Sequence, residues 1–123
     1  MYNRLIELDS QNGKPPNPDF IRPNSLVMTA KYVDGNNFNL HTDTGLYYNR
    51  KQQLKSNYTL LIYLNDEFEG GQTSFYTPEF KHYLDITPKR GSCAVFDINW
   101  WHKGNPVSNG KKYWIGCEII GKI

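Results

Sequence analysis

Three residues, two histidines and an aspartate, have the types and the spacing that a metal ion requires. His41 and Asp43 are separated by one residue within a predicted strand, so their side chains project from the same face and can reach one ion. His102 lies far downstream, at the end of another predicted strand, and can supply a third ligand. Two histidines and one carboxylate leave coordination positions open on the ion, and this arrangement suits non-haem Fe(II) that uses O₂.

A lysine near the end of the chain can hold a co-substrate for such a metal. An Fe(II) enzyme that activates O₂ needs further electrons, and a 2-oxo acid can supply two of them by decarboxylation. The far carboxylate of that acid needs a fixed cation, and Lys112 lies ten residues after His102 on a predicted closing strand. A buried lysine is costly unless a carboxylate pairs with it. The neighbouring Lys111 points to the opposite face, and we expect it to be solvated.

Strands and turns must position these residues, because the chain is rich in strand formers and turn formers. It contains nine Tyr, six Phe and three Trp together with seven Pro and ten Gly. The patterns predict a hairpin of strands 26–33 and 38–43 and a buried central strand, Thr59 to Asn65. Further strands are predicted in 72–76, after Gly70-Gly71, and in 82–88, 92–98 and 111–120. Seven or eight short strands indicate a sandwich or a barrel-like roll.

Two segments are predicted to lack regular structure. Residues 10–24 concentrate Pro, Asn and Gly, which predicts a loop after a short strand or helical turn over residues 2–8. Residues 45–57 are polar and basic without a clean period, which predicts a mobile loop with one helical turn, a candidate lid over a substrate.

Length, charge and cysteine usage limit the classes of protein. The chain has 123 residues, the size of one ordinary domain. Its 14 basic and 12 acidic residues give a formal charge of +2, and scattered charges of this size predict no nucleic-acid partner. No apolar run approaches the length of a membrane span, and no secretory signal follows Met1. We therefore expect a cytoplasmic protein without a membrane partner, in which Cys93 and Cys117 are inert core residues.

Four motifs follow one another in a recognisable order. They are Tyr32-x-x-Gly35-x-x-Phe38-x-x-His41-x-Asp43, residues 58–76 (YTLLIYLNDEFEGGQTSFY), Pro88-x-x-Gly91 and residues 102–113 (HKGNPVSNGKKY). Together they resemble the catalytic core of the 2-oxoglutarate/Fe(II) dioxygenases of the prolyl 4-hydroxylase type, over roughly residues 26–120. The resemblance implies a mainly β fold, a double-stranded β-helix (jelly roll) with little helix. It implies a single domain over 1–123, in which residues 1–25 lead into a jelly-roll core, 26–120.

The resemblance also assigns roles to individual residues. It implies that His41, Asp43 and His102 are the catalytic iron ligands and that Lys112 pairs with the distal carboxylate of 2-oxoglutarate. Hydroxyl groups around the co-substrate are implied for Tyr32, Tyr63 and Thr59. The implied cofactors are Fe(II), 2-oxoglutarate as co-substrate and O₂, with ascorbate as an additional reductant.

The implied reaction is hydroxylation of an unactivated C–H bond with release of succinate and CO₂. A peptidyl proline is the first candidate substrate, and an extended peptide can be met by the aromatic faces of Trp100, Trp101, Tyr47 and Trp114. A free amino acid or another small metabolite is the enzymatic alternative. Two further hypotheses assign the protein to other functional classes. One is a non-catalytic jelly-roll binding module with a vestigial metal site, and the other is a cupin-like enzyme that uses Zn or Mn.

The last predicted strand departs from the pattern of many relatives, which read Lys-Tyr, two apolar residues and Arg-Thr-Asp. This chain has Gly116 at the position of the arginine, next to Trp114 on the same face. If the strand is regular, Lys112, Trp114, Gly116 and Glu118 share that face, which predicts a reshaped substrate pocket. The family's N-terminal helices are not seen in the sequence, so we expect an exposed apolar sheet face that favours self-association or a partner.

Overall fold

The computed structural model describes residues 20–123, and these residues form strands without any helix. The strands are β1 Phe20–Tyr32, β2 Phe38–His41, β3 Tyr48–Asn49, β4 Leu54–Tyr63, β5 Glu69–Gly70, β6 Thr73–Tyr76, β7 His82–Ile86, β8 Cys93–Asp97, β9 Trp101–Gly104, β10 Val107–Ser108 and β11 Lys112–Lys122. The prediction of a mainly β chain is confirmed over this range. The elements predicted for 2–8 and for the first part of 10–24 lie outside the described residues. Over 20–123 no helix is long and apolar enough to cross a membrane.

The larger sheet is built around β4, the apolar strand that the sequence indicates as central. Its order is β1-β11-β4-β3, and β8 also pairs with β4. Strand β11 occupies one edge of β4, while β3 and β8 share the other edge at opposite ends. A run of β-branched and aromatic residues suits such a position, because both faces of a central strand are covered.

The smaller sheet has the order β2-β9-β6-β7, and β5 pairs with β10 in a separate two-stranded ribbon. A core cluster fills the space between the two large sheets. It contains Tyr63, Phe75, Ile86, Ala94 and Phe96, each no more than 4% exposed. Two facing sheets closed around one core provide the rigid walls on which side chains from both sheets can meet.

The opposite face of the larger sheet is buried, contrary to the expectation of an exposed apolar face. Leu60, Val95, Cys117 and Ile119 pack together there, and Ile119 is 1% exposed. Cys117 thus lies in the core, as the sequence predicts, whereas Cys93 is only partly buried and packs against the edge of the same cluster. Four of the large exposed apolar side chains of residues 20–123 lie on β1, where Leu26 and Val27 are more than half exposed.

Strands β1 and β2 do not form the predicted hairpin. Strand β1 pairs with β11 in the larger sheet, and β2 pairs with β9 in the smaller one. The turn between them transfers the chain from one sheet to the other. Gly35 adopts φ 81° in this turn, and its N–H donates to Val107 O at 2.9 Å, which ties the turn to β10. The sequence predicts the turn correctly, but turn residues alone do not distinguish a hairpin from a connection between two sheets.

Two predicted loops contain strand residues. Strand β1 begins at Phe20, within the predicted loop 10–24, and Pro23 pairs with Ile119 beside an irregularity in the register. An edge strand tolerates proline, since the missing N–H faces no ladder. In the predicted loop 45–57, residues Tyr48–Asn49 pair with the start of β4, and residues 50–53 between them form a single turn in which Gln53 N–H donates to Arg50 O at 3.3 Å.

Candidate active site

The three candidate ligands meet where β2 and β9 lie side by side. His41 ends β2, and it is the direct cross-strand partner of His102 in β9, with ring centroids 4.3 Å apart. Asp43 lies just beyond β2, where its N–H donates to Ile98 O at 3.0 Å. One potential ligand atom from each residue lies within 4.8 Å of the other two. The structure therefore brings together the set that the sequence predicts, a histidine pair and a carboxylate with the donor atoms that Fe(II) accepts.

Backbone carbonyl groups orient both imidazole rings. The Nδ1–H of His41 donates to Asn39 O at 2.6 Å, and that of His102 donates to Trp100 O at 2.9 Å. Because a carbonyl oxygen can only accept, Nδ1 carries a proton in both rings, and Nε2 is the nitrogen left to face a metal ion. Both Nε2 atoms face Asp43 Oδ1, at 3.3 Å for His41 and 3.6 Å for His102. This orientation presents Nε2 of both rings to an ion beside Asp43 Oδ1.

The Asp43 carboxylate is held on its other side by a buried threonine. Thr59 in β4 donates its hydroxyl to Asp43 Oδ2, which leaves Oδ1 toward the two histidines. Burial raises the pKa of Asp43, but hydrogen bonds from His41 and Thr59 and the nearby imidazoles outweigh it, so this pKa lies below its usual value. Thr59 also lines the cavity next to these residues. Its contact with a co-substrate, which the sequence predicts, stays a prediction.

The two histidines differ in their surroundings. His102 is 5% exposed and lies against the ring of Phe96, with centroids 4.7 Å apart. Burial lowers the pKa of His102 below its usual value. Burial also acts to lower the pKa of His41, but hydrogen bonds to Asp43 and to the Asn39 carbonyl outweigh it and raise this pKa. His102 is therefore the more firmly neutral of the two, the form that binds metals.

A cavity of about 300 Å³ extends from these three residues between the sheets. Its walls include the other predicted co-substrate residues and one predicted substrate residue, namely Tyr32, Thr59, Tyr63, Lys112 and Trp114. Gly116 also faces this space, so Lys112, Trp114 and Gly116 lie on one face of β11, as the alternation predicts. The sequence therefore indicates correctly which side of the last strand faces the cavity.

Lys112 is a buried cation in this cavity. It is 2% exposed, and its Nζ donates to Gly71 O at 2.7 Å. Within residues 20–123, no carboxylate lies within 4.0 Å of that nitrogen. Burial lowers the pKa of Lys112 to about 8. Lys111 is exposed, as predicted. A buried ammonium group with one carbonyl partner is an incomplete arrangement, which an incoming anion would complete.

Aromatic rings surround the Lys112 side chain. Its Nζ lies 5.4 Å from the centroid of Tyr32 and 5.6 Å from that of Tyr63. The hydroxyl of Tyr63 shares a hydrogen bond of 2.6 Å with Thr73 Oγ1. Burial raises the pKa of Tyr32, and a hydrogen bond from the Trp114 side chain opposes the rise. Burial thus favours the neutral phenol at Tyr32, and the two aromatic rings flank the ammonium group.

A glycine makes the approach to Lys112 possible. Gly71 adopts φ 69°, and an added Cβ would lie 2.8 Å from the Phe68 ring, 3.2 Å from Val107 and 3.3 Å from Lys112 Cδ. Neither the backbone conformation nor the space suits a side chain at this position. The carbonyl that accepts from Lys112 is therefore presented by a residue that tolerates no substitution easily.

The other predicted substrate residues lie away from this cavity. Trp100 and Trp101 line a second cavity together with Tyr76 and Pro78. Tyr47 lines neither cavity, and its hydroxyl donates to Gln52 at 3.3 Å. Only Trp114 of the four predicted aromatic contacts shares the space of the candidate ligands. A role in peptide binding stays a prediction for all four.

Sequence reasoning missed a second buried carboxylate behind the ligands. Glu118 is 3% exposed, and it accepts hydrogen bonds from the Ser56 hydroxyl and from the N–H of Leu46. The available signal was its isolation, because Glu118 is the only charged residue between Lys112 and Lys122 in a strand that is otherwise mostly apolar. A single charge within such a strand indicates a satisfied buried group.

Comparisons with known proteins agree with this geometry. The family model for the 2OG-Fe(II) oxygenase superfamily matches residues 27–117. A search of curated protein sequences found no significant match. Among solved structures, the viral collagen prolyl hydroxylase of Paramecium Bursaria Chlorella virus-1, in its 2OG complex, is 26% identical with a TM-score of 0.60. The match covers 88% of this chain and 65% of that chain.

Two more distant structures share the fold. A prolyl hydroxylase from Trichoplax adhaerens, in complex with a peptide fragment of hypoxia inducible factor, is 23% identical with a TM-score of 0.63, over 85% of this chain and 47% of that one. A prolyl-4-hydroxylase from Pseudomonas putida is 18% identical with a TM-score of 0.58, over 76% and 50%. The chain thus spans less than two thirds of the length of these proteins. Their structural similarity confirms the predicted jelly-roll fold. Because the family model covers most of the sequence, the protein belongs to the 2OG-Fe(II) oxygenase superfamily.

Proposed function

We propose that the protein is an Fe(II)- and 2-oxoglutarate-dependent dioxygenase that hydroxylates a peptidyl proline, with release of succinate and CO₂. One observation carries the proposal. A single cavity contains both a histidine pair with a carboxylate and a buried lysine without an acidic partner among the described residues. A metal at one end and a cation at the other match a small dicarboxylate that has a chelating 2-oxo acid group.

His41, Asp43 and His102 would hold the Fe(II). The chain prepares this set by holding Nδ1 of both histidines on backbone carbonyls, so that Nε2 faces the site, and by orienting Asp43 Oδ1 through the hydrogen bond from Thr59. When bound, Fe(II) with 2-oxoglutarate and O₂ supplies the oxidising power that inserts oxygen into a C–H bond. The residues themselves need to supply only a facial ligand set that leaves open positions, together with a dry and shaped cavity.

Lys112 would bind the distal carboxylate of 2-oxoglutarate. The carboxylate would neutralise the buried ammonium group of Lys112. Much of the binding energy of the co-substrate would therefore come from this contact. Tyr32 and Tyr63 line the same cavity and would exclude water from the ion pair. Their assigned contacts to the co-substrate are part of the proposal.

A peptidyl proline as the prime substrate has support from two directions. The similar solved structures include prolyl hydroxylases, one of them in complex with a peptide fragment. In this chain, Trp114 offers an aromatic face within the cavity, and Gly116 leaves the neighbouring position without a side chain. A flat indole ring suits the apolar pyrrolidine ring of proline. Trp100, Trp101 and Tyr47 would meet more distant parts of the peptide.

The first test concerns the cofactors. Titration of 2-oxoglutarate into the anaerobic protein with Fe(II) should give the weak visible charge-transfer band of a chelated 2-oxo acid. The band should be lost in Asp43→Ala. A folded wild-type protein that gives no band would contradict the proposal and would favour a binding module with a vestigial metal site.

The second test concerns the prime substrate. The protein is incubated with Fe(II), 2-oxoglutarate, ascorbate as reductant and either a library of proline-rich peptides or free proline. A mass gain of one oxygen atom on peptides alone is the expected result. A gain on free proline alone would replace the peptide with a small metabolite while leaving the dioxygenase intact.

A further inference from the structure

Glu118 is a buried carboxylate that accepts hydrogen bonds from Leu46, in the segment after Asp43, and from Ser56 in β4. It lies on the cavity side of β11, in the alternation that includes Lys112 and Gly116, and it is 3% exposed. Within residues 20–123, no basic side chain lies within 4.0 Å of it. A buried carboxylate without a cation persists only if hydrogen bonds satisfy its oxygen atoms.

The donors to Glu118 come from two places. The N–H of Leu46 approaches both carboxylate oxygens, at 3.2 Å and 2.9 Å. The hydroxyl of Ser56 donates to Oε2. Ser56 also accepts from Tyr47 N–H at 3.2 Å, and its own N–H donates to Tyr47 O at 2.9 Å. Glu118 and Ser56 together therefore anchor residues 46–47 to the larger sheet.

This anchor matters because Asp43 is the one candidate ligand that lies outside a strand. His41 and His102 belong to β2 and β9 and are paired across the ladder. Asp43 lies in an irregular stretch, where its own N–H donates to Ile98 O at 3.0 Å and where the segment that continues to Leu46 supplies the restraint on the other side. A ligand on irregular backbone keeps its geometry only where neighbouring groups restrain that backbone.

The register places both restraints on adjacent residues of two strands. Glu118 in β11 is the cross-strand partner of Thr59 in β4. Thr59 holds the side chain of Asp43, and Glu118 holds the backbone three residues further along the chain. Asp43 is thus restrained from its side chain and from its backbone by one pair of neighbours.

We propose that Glu118 is a positioning residue for the metal ligand Asp43, acting through the backbone of residues 44–46. This inference rests on the proposed function, because it concerns the affinity of the His41, Asp43 and His102 set for a divalent metal ion. Removing a group that orients a ligand typically lowers metal affinity about 10- to 100-fold. We expect a loss of this size for Glu118→Ala.

The test measures metal affinity directly and does not depend on turnover. Mn(II) is titrated into the anaerobic full-length protein, and the free ion is followed by its electron paramagnetic resonance signal. Glu118→Ala should bind Mn(II) about 10- to 100-fold more weakly than the wild type. Glu118→Gln keeps the shape and one acceptor for Leu46 N–H, so its affinity should lie between the two.

The matched control lies on the same strand and faces the other way. Ile119→Val removes one buried methyl group from the opposite face of β11, so it lowers the melting temperature without touching Leu46 or Ser56. Its Mn(II) affinity should equal that of the wild type. An equal loss of affinity in Ile119→Val would show a general loss of stability and would overturn the inference.

The remaining outcomes are also decisive. Wild-type affinity in a folded Glu118→Ala overturns the positioning role. If Glu118→Ala does not fold, Glu118→Leu takes its place, because leucine fills the space but cannot accept from Leu46 N–H, and wild-type affinity in that variant overturns the role equally. A wild-type protein that binds no Mn(II) contradicts the proposed function itself, which separates the two failures.

Discussion

The two ends of the cavity differ in how completely their polar groups are satisfied. At the metal end, both imidazoles donate to backbone carbonyls, and Asp43 accepts from Thr59. At the lysine end, Lys112 has one carbonyl partner, and burial lowers its pKa to about 8. One end is thus prepared before any ligand arrives, whereas the other is completed only by an anion. Metal binding should therefore depend on the identity of the ligand side chains, and binding of the anion should depend on the positive charge of Lys112.

The most severe way to break this comparison is to remove the carboxylate of the prepared end. Asp43→Ala deletes one of three ligands, so we expect no detectable 2-oxoglutarate turnover and no charge-transfer band. Thr59→Ser is the control, because it keeps the hydroxyl that orients Asp43 and should retain activity. Succinate release measures both variants, and measurable turnover in Asp43→Ala would refute the ligand assignment.

Removing the cation should affect the other end in a different way. Lys112→Ala should raise the concentration of 2-oxoglutarate needed for half-maximal turnover by about 30-fold or more, since loss of one partner of a buried charge pair costs roughly 2–5 kcal/mol. Metal affinity should stay close to that of the wild type. The exposed Lys111→Ala is the matched control and should change neither quantity. An equal effect of the two lysine substitutions would contradict the assignment.

A change of pH should sharpen the same contrast without any substitution. Lys112 binds an anion in its protonated form, and its pKa in the free protein is about 8. Above that pH, the dissociation constant for 2-oxoglutarate should therefore rise by about tenfold per pH unit. Isothermal titration between pH 7 and pH 10 measures the slope, with Mn(II) in place of Fe(II). A flat profile would show that another group binds the distal carboxylate.

The smallest expected effect is on stability. Lys112→Met removes a buried charge but leaves Gly71 O without its donor, so we expect the ligand-free protein to gain about 1 kcal/mol in free energy of unfolding near pH 7. The folded pKa of Lys112 lies below its unfolded value. The cost of the charge is therefore fully present below about pH 8 and is relieved as the pH rises toward 10.5. Urea unfolding should show the gain shrinking over that range, and a lower stability for Lys112→Met would contradict the account.

Short-range patterns in the sequence predicted much of the fold and of the candidate site. His41 and Asp43 share a face through local spacing, and alternation along β11 placed Lys112, Trp114 and Gly116 toward one cavity. The apolar run of β4 indicated the central strand of the larger sheet. Each of these inferences needs information only from residues that are close together in the chain.

Long-range pairing explains what the sequence could not predict. The turn at Gly35 leads from one sheet to the other, because β1 pairs with a strand some eighty residues later rather than with its neighbour β2. Residues 48–49 become a strand only because the start of β4 is available to pair with them. Glu118 could not be interpreted without its partners Leu46 and Ser56, which lie 72 and 62 residues away in the chain.

The position of β1 at the edge of the larger sheet bears on how the cavity exchanges with solvent. Met28 and Tyr32 of β1 form part of the cavity wall, and over the described residues β1 is hydrogen-bonded to β11 alone. Parting that single ladder would admit water to the lysine end of the cavity. Backbone amides of β1 should therefore exchange with deuterium well before those of β4, and 2-oxoglutarate should slow the exchange at Tyr32. The cavity would then exchange water and co-substrate with the solvent by transient separation of β1 from β11, on the side where Lys112 lies.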